Sequence, residues 1–279
     1  MAIEEQRITA NGIDFALRTC GASGPLALCL HGFPDTAHTW DRLLPQLADA
    51  GFRAVAPWMR GYAPTSLSPD GDYSIGALAA DANALHEALG GDSDAVLVGH
   101  DWGAMTTYVA GASQPERWRR LVALAVPPPA TAATALFRYE QLKRSFYVFL
   151  FQTPLAEFAV GADDLAFIDG LWHDWSGGYD ATADLVHVKA ALREPDNLAA
   201  AIGYYRAMFA GGGSSAVSPQ PTLYLHGKSD GAFGVEGVVG AESELPPGSL
   251  VELVDGIGHF LHLEAWEQIN RLILDWLTA

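Results

Sequence analysis

The sequence predicts an α/β protein built on one mostly parallel, eight-stranded sheet with flanking helices and an inserted helical segment. Short apolar runs, such as residues 26–30 and 121–126, alternate along the chain with amphipathic helical patterns, as βαβ units require. The alternation stops near residue 127 and resumes at residue 222. The chain has 279 residues, of which 49% are apolar and 18% are charged, and this composition suits one large domain with a substantial core.

The first element should be an antiparallel hairpin, because residues 5–19 alternate around Asn11 and Gly12, a strong tight-turn signal. The apolar run at residues 26–30 is typical of a strand that is buried on both faces. Four apolar residues at helical spacing then predict an amphipathic helix, which Gly51 is placed to end; they are Trp40, Leu43, Leu44 and Leu47.

The later elements continue this alternation on both sides of the insertion. Ser74 is placed to cap a helix, residues 104–114 predict another, and the last helix has one apolar face that contains Trp266 and Ile273. Five further strands are predicted, at residues 52–56, 95–98, 121–126, 222–225 and 250–254.

Three consecutive prolines at residues 127–129 break the pattern. From about residue 130 to 210 the chain is rich in aromatic residues, has a helical composition and offers no convincing strand. The glycine- and serine-rich residues 211–215 then predict a flexible return linker. We therefore predict a core domain of residues 1–127 and 216–279 and a helical lid of residues 128–215.

The formal net charge of −17 argues against nucleic acids and anionic membrane surfaces as partners and leaves neutral small molecules. Cys20 and Cys29 fall in or beside apolar strand-like runs and are expected to be reduced, buried thiols. The amino terminus lacks a basic segment followed by an apolar one, and no apolar run has membrane-spanning length. We expect a cytoplasmic protein.

The segment from Gly99 to Gly103 carries the main chemical signal, because it joins a predicted strand to a predicted helix and places Asp101 between two glycines. A strand that turns this tightly into a helix holds its central residue in strained backbone and needs small neighbours. A carboxylate is ionised at neutral pH and can displace a leaving group from an sp3 carbon, which suits epoxides and alkyl halides. The alternative is an Asp that only caps a helix.

A carboxylate nucleophile needs a histidine that activates water, and that histidine needs a second carboxylate to orient it. His259 lies in a glycine-rich loop after a predicted strand, while His262 is the competing residue at the start of the last helix. Asp230 follows the strand at residues 222–225, whereas the loop after residues 121–126 offers only prolines. Asp230 is therefore the candidate carboxylate, and its alternative role is to form a turn.

The residues from His31 to Pro34 follow the strand at residues 26–30. In a doubly wound sheet this strand end lies beside the elbow at Asp101. The glycine between them permits an unusual turn, so that the backbone amides of Phe33 and Trp102 can form an oxyanion hole. The alternative is a loop that His31 and Pro34 merely shape.

Together these segments resemble the epoxide hydrolases of the α/β-hydrolase fold, a branch with an Asp nucleophile that is related to the haloalkane dehalogenases. The resemblance covers both halves of the core. It rests on five segments: His31 to Pro34, Arg60 to Tyr62, Gly99 to Gly103, Gly227 to Asp230 and Gly258 to Phe260.

The resemblance also implies two lid tyrosines that bind and protonate the epoxide oxygen, since a phenol keeps its proton at neutral pH. One of them stands four residues before a Phe-Gln pair, and Phe151 and Gln152 place it at Tyr147. The other precedes an arginine and matches Tyr205, with Tyr204 as the nearest alternative. The expected substrate contacts are Phe33, Trp102, Tyr147, Tyr205 and Phe260.

In the implied reaction, Asp101 attacks an epoxide carbon and forms an alkyl ester. Water activated by His259, which Asp230 orients, then hydrolyses that ester to a vicinal diol. No metal and no organic cofactor is required. The expected partners are a small hydrophobic epoxide and water, and the protein is expected to be a monomer or a homodimer.

Two other functions compete with this interpretation, one catalytic and one non-catalytic. A haloalkane dehalogenase resembles the chain in its fold, its nucleophile and Trp102, whose indole N–H would bind the halide. Tyr147 and Tyr205 argue against it, because halide release needs no phenolic acid. A non-catalytic ligand-binding protein of the same fold is the remote alternative.

Two segments depart from the family pattern. An acidic residue is expected near Trp58 and a glycine near Ala63, and neither is present. Residues 171–175 have no assigned role, and His173 is either a polar pocket residue or a surface residue. These departures leave the identity of the substrate open.

Overall fold

The computed structural model describes residues 1–210 and 217–279 and contains one eight-stranded sheet. The spatial order of the strands is β1-β2-β4-β3-β5-β6-β7-β8. The pairs β1-β2 and β2-β4 are antiparallel and all later pairs are parallel, so the predicted α/β class and the mostly parallel sheet are confirmed. The strands are β1 (Glu4–Ala10), β2 (Ile13–Cys20), β3 (Leu26–Leu30), β4 (Arg53–Pro57), β5 (Val96–His100), β6 (Arg120–Leu124), β7 (Thr222–Gly227) and β8 (Leu250–Val254).

The helices of the described residues flank this sheet and fill the segment between β6 and β7, residues 125–221, which we call the insertion. They are α1 (Leu44–Asp49), α2 (Ile75–Ala88), α3 (Trp102–Ser113), α4 (Pro129–Leu136), α5 (Tyr139–Arg144), α6 (Phe146–Leu150), α7 (Ala156–Gly161), α8 (Ala166–Trp175), α9 (Thr182–Leu192), α10 (Pro195–Phe209), α11 (Ala241–Glu244), α12 (Leu261–Glu264) and α13 (Trp266–Thr278). The insertion contains α4 to α10 and, in its described part, no strand. The predicted linker at residues 211–215 lies outside the described residues.

Two local predictions from the sequence, a hairpin turn and a helix cap, are confirmed by the structure. Asn11 and Gly12 form the hairpin turn between β1 and β2, both with positive φ angles (48° and 75°). The hydroxyl oxygen of Ser74 accepts a hydrogen bond from the amide N–H of Ala77 at 3.3 Å and caps α2.

Across the described residues, no helix has both the length and the apolar character needed to cross a membrane.

The predicted helix through Trp40 and Leu47 is wrong in its extent. The chain forms a short 3-10 turn at Ala37–Trp40, and the α helix begins only at Leu44. Pro45 explains the break, because proline has no amide hydrogen and its ring clashes with the carbonyl four residues earlier. The apolar side chains at helical spacing are buried all the same, so the spacing predicted the buried face and not the helix.

The turn from β5 into α3 brings backbone segments closer than any side chain would allow. A Cβ atom on Gly99 would lie 2.1 Å from the carbonyl oxygen of Gly103. A Cβ atom on Gly103 would lie 2.1 Å from the carbonyl oxygen of Leu30. Since Cβ atoms essentially never approach other heavy atoms closer than 3.0 Å, α3 can pack directly against the end of β3 only with glycine at these positions.

We expect Gly103→Ala to lower the free energy of unfolding by at least about 2 kcal/mol, because the added methyl group overlaps backbone atoms that cannot move aside. Gly76→Ala is the matched control, since its new Cβ atom in the first turn of α2 would have no neighbour closer than 3.8 Å. The control should change stability by no more than ~1 kcal/mol, in the stabilising direction. Urea unfolding followed by circular dichroism measures both, and equal stabilities would contradict the close approach.

Candidate active site

Asp101 lies in the tight turn between β5 and α3, with φ +52° and ψ −115°. A non-glycine residue adopts this backbone conformation at an energetic cost, which the surrounding structure must offset. One carboxylate oxygen, Oδ1, accepts the backbone N–H of Phe33 at 2.8 Å, and the backbone N–H of Trp102 also helps to stabilise the ionised carboxylate. The two predicted oxyanion-hole amides therefore converge on the candidate nucleophile.

Burial raises the pKa of the Asp101 carboxyl above its ordinary value, and three groups oppose this effect. They are the His259 ring and the two amides of Phe33 and Trp102. The donors thus stabilise the ionised carboxylate inside a low-dielectric site. The same donors would face an oxyanion formed at this carbon.

His259 and Asp230 meet as predicted, since His259 Nδ1–H donates to Asp230 Oδ2 at 2.9 Å. The other oxygen of Asp230, Oδ1, accepts the backbone N–H groups of Ala232 (2.7 Å) and Phe233 (2.9 Å). The side chains of His259 and Asp230 are both buried. Asp230 is therefore fixed by its own turn and in turn fixes the orientation and tautomer of the imidazole.

Burial lowers the pKa of His259, but the charge and hydrogen bond of Asp230 outweigh it, so the pKa is raised above the ordinary value. The second ring nitrogen, Nε2, lies 3.8 Å from Asp101 Oδ2, which is longer than a hydrogen bond. This buried Nε2 atom has no hydrogen-bond partner among the described residues. In the neutral ring this nitrogen carries a lone pair beside the carboxylate and can accept a proton from a water there.

Trp175, at the end of α8, connects both candidate catalytic loops. Its carbonyl oxygen accepts the backbone N–H of His259 at 3.0 Å and that of Gly231 at 3.1 Å. Its indole ring packs edge-on against the His259 ring at 5.0 Å between centroids. The sequence left this segment unassigned, and a backbone carbonyl leaves no residue-type signal that could have identified it.

Tyr147 on α6 and Tyr205 on α10 line the same cavity as Asp101 and His259. Their ring centroids are 5.6 Å apart, and both side chains are buried. Burial raises the pKa of both phenols above the ordinary value, so both keep their protons at neutral pH. Tyr204 is the alternative. Its phenol O–H donates a hydrogen bond to the carbonyl oxygen of Arg60 at 2.8 Å, and the residue does not line the cavity.

The residues that marked the two tyrosines in the sequence hold α6 and α10 together. Gln152 Nε2 donates to the carbonyl oxygen of Tyr205 at 2.9 Å, and Arg206 Nε donates to the carbonyl oxygen of Phe151 at 3.0 Å. These reciprocal side-chain to backbone bonds cross between the two segments. They fix the position of Tyr205 relative to Tyr147.

The cavity has a volume of about 370 Å³ and is predominantly apolar. Of the residues predicted to contact substrate, Trp102 and the two tyrosines line it. Phe260 does not line it, because its fully buried ring stacks on Trp172 with 3.6 Å between the ring centroids. Phe33 reaches Asp101 through its amide, and its ring packs against Tyr205 rather than lining the cavity.

Two further histidines differ in their surroundings. His173 is exposed, so it is a surface residue and not a pocket residue. His262 is fully buried beside Thr39, with 2.6 Å between Nε2 and the hydroxyl oxygen. Burial, with a smaller effect of His259, lowers the pKa of His262 to about 3, so its ring is neutral. His262 therefore packs behind the site and does not replace His259 in it.

One buried cluster has the composition of a metal site but not the spacing. Asp35, His100 and His262 offer ligand atoms that lie within 4.8 Å of one another, and Asp35 Oδ2 is 3.9 Å from His100 Nδ1. Ligand atoms bound to zinc at ~2.1 Å in a tetrahedral site are only about 3.4 Å apart. We assign no metal to this cluster. His100 instead supports the site, because its Nε2–H donates to the carbonyl of His259 at 3.0 Å.

Comparison with known proteins agrees with this geometry. Residues 25–265 match the model of the α/β hydrolase fold family. The chain is 30% identical to the AB hydrolase superfamily protein YfhM of Bacillus subtilis, over 98% of this chain and 97% of that protein. It is also 30% identical to epoxide hydrolase 1 of Siraitia grosvenorii, over 99% and 98% of the two chains.

A solved structure, epoxide hydrolase A of Mycobacterium thermoresistibile, superposes with a TM-score of 0.84 and 25% identity, covering 99% of this chain and 98% of that one. The match thus extends over the sheet and the insertion alike. The chain belongs to the α/β hydrolase fold family, in the group that contains these epoxide hydrolases.

Proposed function

We propose that this protein hydrolyses epoxides to vicinal diols through a covalent alkyl ester on Asp101, and that residues 128–215 act as a helical lid that supplies the proton donors. One observation carries the proposal. A buried carboxylate, an imidazole with a free Nε2 and two protonated phenols face one apolar cavity. The names of the relatives found over the whole chain support the same activity.

In the first half of the reaction, a carboxylate oxygen of Asp101 attacks an epoxide carbon and the bond from that carbon to the ring oxygen breaks. The departing oxygen accepts hydrogen bonds from Tyr147 and Tyr205 and takes a proton from one of them. Both phenols are protonated at neutral pH because burial raises their pKa. The product is a hydroxyalkyl ester of Asp101.

In the second half, His259 Nε2 removes a proton from water, and the hydroxide attacks the carbonyl carbon of the ester. The amides of Phe33 and Trp102 stabilise the tetrahedral oxyanion, while Asp230 stabilises the imidazolium. Collapse of this intermediate breaks the acyl–oxygen bond, and the released alkoxide takes the proton from His259. Asp101 is then a carboxylic acid, and its proton returns to the tyrosine that was deprotonated in the first half of the reaction. One water is therefore consumed for each diol.

We expect Asp101→Asn to lower diol formation from styrene oxide by at least ~10³-fold in freshly prepared protein, because the nucleophile is lost. Asp94→Asn changes an exposed carboxylate and is the matched control. A single turnover of the unaltered protein in 18O-water should give an unlabelled diol and place 18O in Asp101, which mass spectrometry detects. A diol labelled in that first turnover would mean direct attack by water, and halide release from a parallel chloroalkane without diol would assign a dehalogenase.

We expect the double variant Tyr147→Phe with Tyr205→Phe to lower epoxide turnover by about 10²–10⁴-fold, the usual contribution of a positioned acid. Phenylalanine keeps the buried rings, so the unfolding midpoint should change little. Tyr204→Phe is the matched control, because this phenol binds the carbonyl of Arg60 outside the cavity. If Tyr204→Phe is the more damaging change, the assignment of the proton donors is wrong.

The raised pKa of His259 predicts the pH dependence. His259 must be neutral to accept a proton, so kcat should fall as the pH drops through a value above the ordinary 6.5. Asp230→Asn removes the charge that raises this pKa and should move the acid limb to lower pH, with a large loss of kcat. His262→Gln should leave the acid limb of the profile of kcat against pH at the same pH, because the pKa of His262 is lowered to about 3. A shift of this limb in His262→Gln would contradict its assignment to His259.

A further inference from the structure

The cavity extends well beyond the groups that the proposed reaction uses. Trp102, Met105 and Val109 line it from one face of α3. An α helix rises 1.5 Å per residue, so the cavity follows α3 for about 10 Å away from the nucleophile. An extended chain advances ~1.2 Å per bond, as a polypeptide backbone does, and this length therefore accommodates a substituent of about eight bonds.

A second part of the cavity lining, on α4, consists of small side chains. Ala130 and Ala133 lie three residues apart on α4, face the cavity and are exposed. Met208, near the end of α10, also lines the cavity and is 38% exposed. The cavity therefore reaches solvent at these exposed residues of α4 and α10. We call this part the distal channel, formed by Met105, Val109, Ala130, Ala133 and Met208.

The distal channel has no group that would bind a charged substituent. The described residues that line the whole cavity include no lysine and no arginine. Away from the reacting groups, the only hydroxyls in the described cavity lining are those of Ser74 and Ser145, which are neutral and lie outside the five residues of the distal channel. A carboxylate held inside the channel, short of its exposed end, would lose hydration without gaining a cationic partner.

We propose that the distal channel binds a long, uncharged, apolar substituent of the epoxide, and that Ala130 and Ala133 determine this specificity. The proposal rests on the proposed function and names its substrate class, which is neutral long-chain terminal epoxides and not epoxides with a free carboxylate. The small side chains at both positions leave the channel wide enough for an alkyl chain. Each methylene that is fully buried contributes a factor of at most about four.

The first test compares kcat/KM for 1,2-epoxydecane and 1,2-epoxybutane. The unaltered protein should prefer the longer substrate at least tenfold. Ala133→Trp fills the channel and should lower this ratio at least tenfold. Thr134→Trp adds the same ring to the neighbouring exposed residue, which does not line the cavity, and should leave the ratio unchanged.

The second test introduces a charge. The unaltered protein should hydrolyse methyl 6,7-epoxyheptanoate, whose carboxyl carbon is five bonds from the ring and therefore inside the channel, with a kcat/KM at least tenfold above that of the free acid. Ala133→Arg provides the missing partner and should raise the ratio of acid to ester at least tenfold. This outcome is a gain of function, which a misfolded variant could not produce.

The two proposals fail in different ways. If none of these epoxides yields a diol, the proposed function is wrong and the channel proposal fails with it. If all are hydrolysed but the chain-length ratio is near one, or Ala133→Trp and Thr134→Trp change it equally, only the channel proposal is overturned. The same holds if Ala133→Arg leaves the ratio of acid to ester unchanged.

Discussion

The close approach of the β3 loop to the elbow at Asp101 is the constraint on which the site depends. A Cβ atom on Gly32 would lie 2.4 Å from both Cβ and Oδ1 of Asp101, so any larger residue would displace the carboxylate. The glycines at residues 99 and 103 remove the same obstacle on the elbow side. With all three present, the Phe33 amide lies 2.8 Å from the carboxylate. The oxyanion donors are therefore held by backbone packing rather than by flexible side chains.

This packing also determines how the site tolerates two buried carboxylates around one imidazole. Asp230 accepts two backbone N–H groups, and Asp101 accepts that of Phe33 while the amide of Trp102 also stabilises its charge, so both carboxylates keep hydrogen bonds after losing water. Asp230 is the closer to the ring, at 2.9 Å against 3.8 Å for Asp101. The ring therefore pairs with Asp230, and Asp101 stays free to act as the proposed nucleophile. A shorter contact between Asp101 and His259 would have occupied both groups that the two proposed half-reactions need.

The sequence predicted the sheet and the charged groups because both depend on short-range patterns. Apolar runs identify parallel strands, and catalytic residues follow the carboxyl ends of such strands, so His259 and Asp230 were found from their positions after β8 and β7. Features that depend on distant contacts were missed or mistaken. The carbonyl of Trp175 could not be predicted, since any residue type supplies one, and the stacking of Phe260 on Trp172 could not be predicted because the two residues are remote in sequence.

The contacts of Trp175 limit how the insertion can move. Its carbonyl joins α8 to the loops of His259 and Asp230, and the indole of Trp172 donates to the carbonyl of Pro34 at 2.8 Å. Lifting the insertion as a rigid body would break these buried bonds and disturb the catalytic loops each time a substrate entered. The cavity lining at Ala133 on α4 is exposed without any such break. Under the proposed function, substrate access is thereby separated from catalytic geometry, because α8 anchors the insertion to the core while exposed residues of α4 line the cavity.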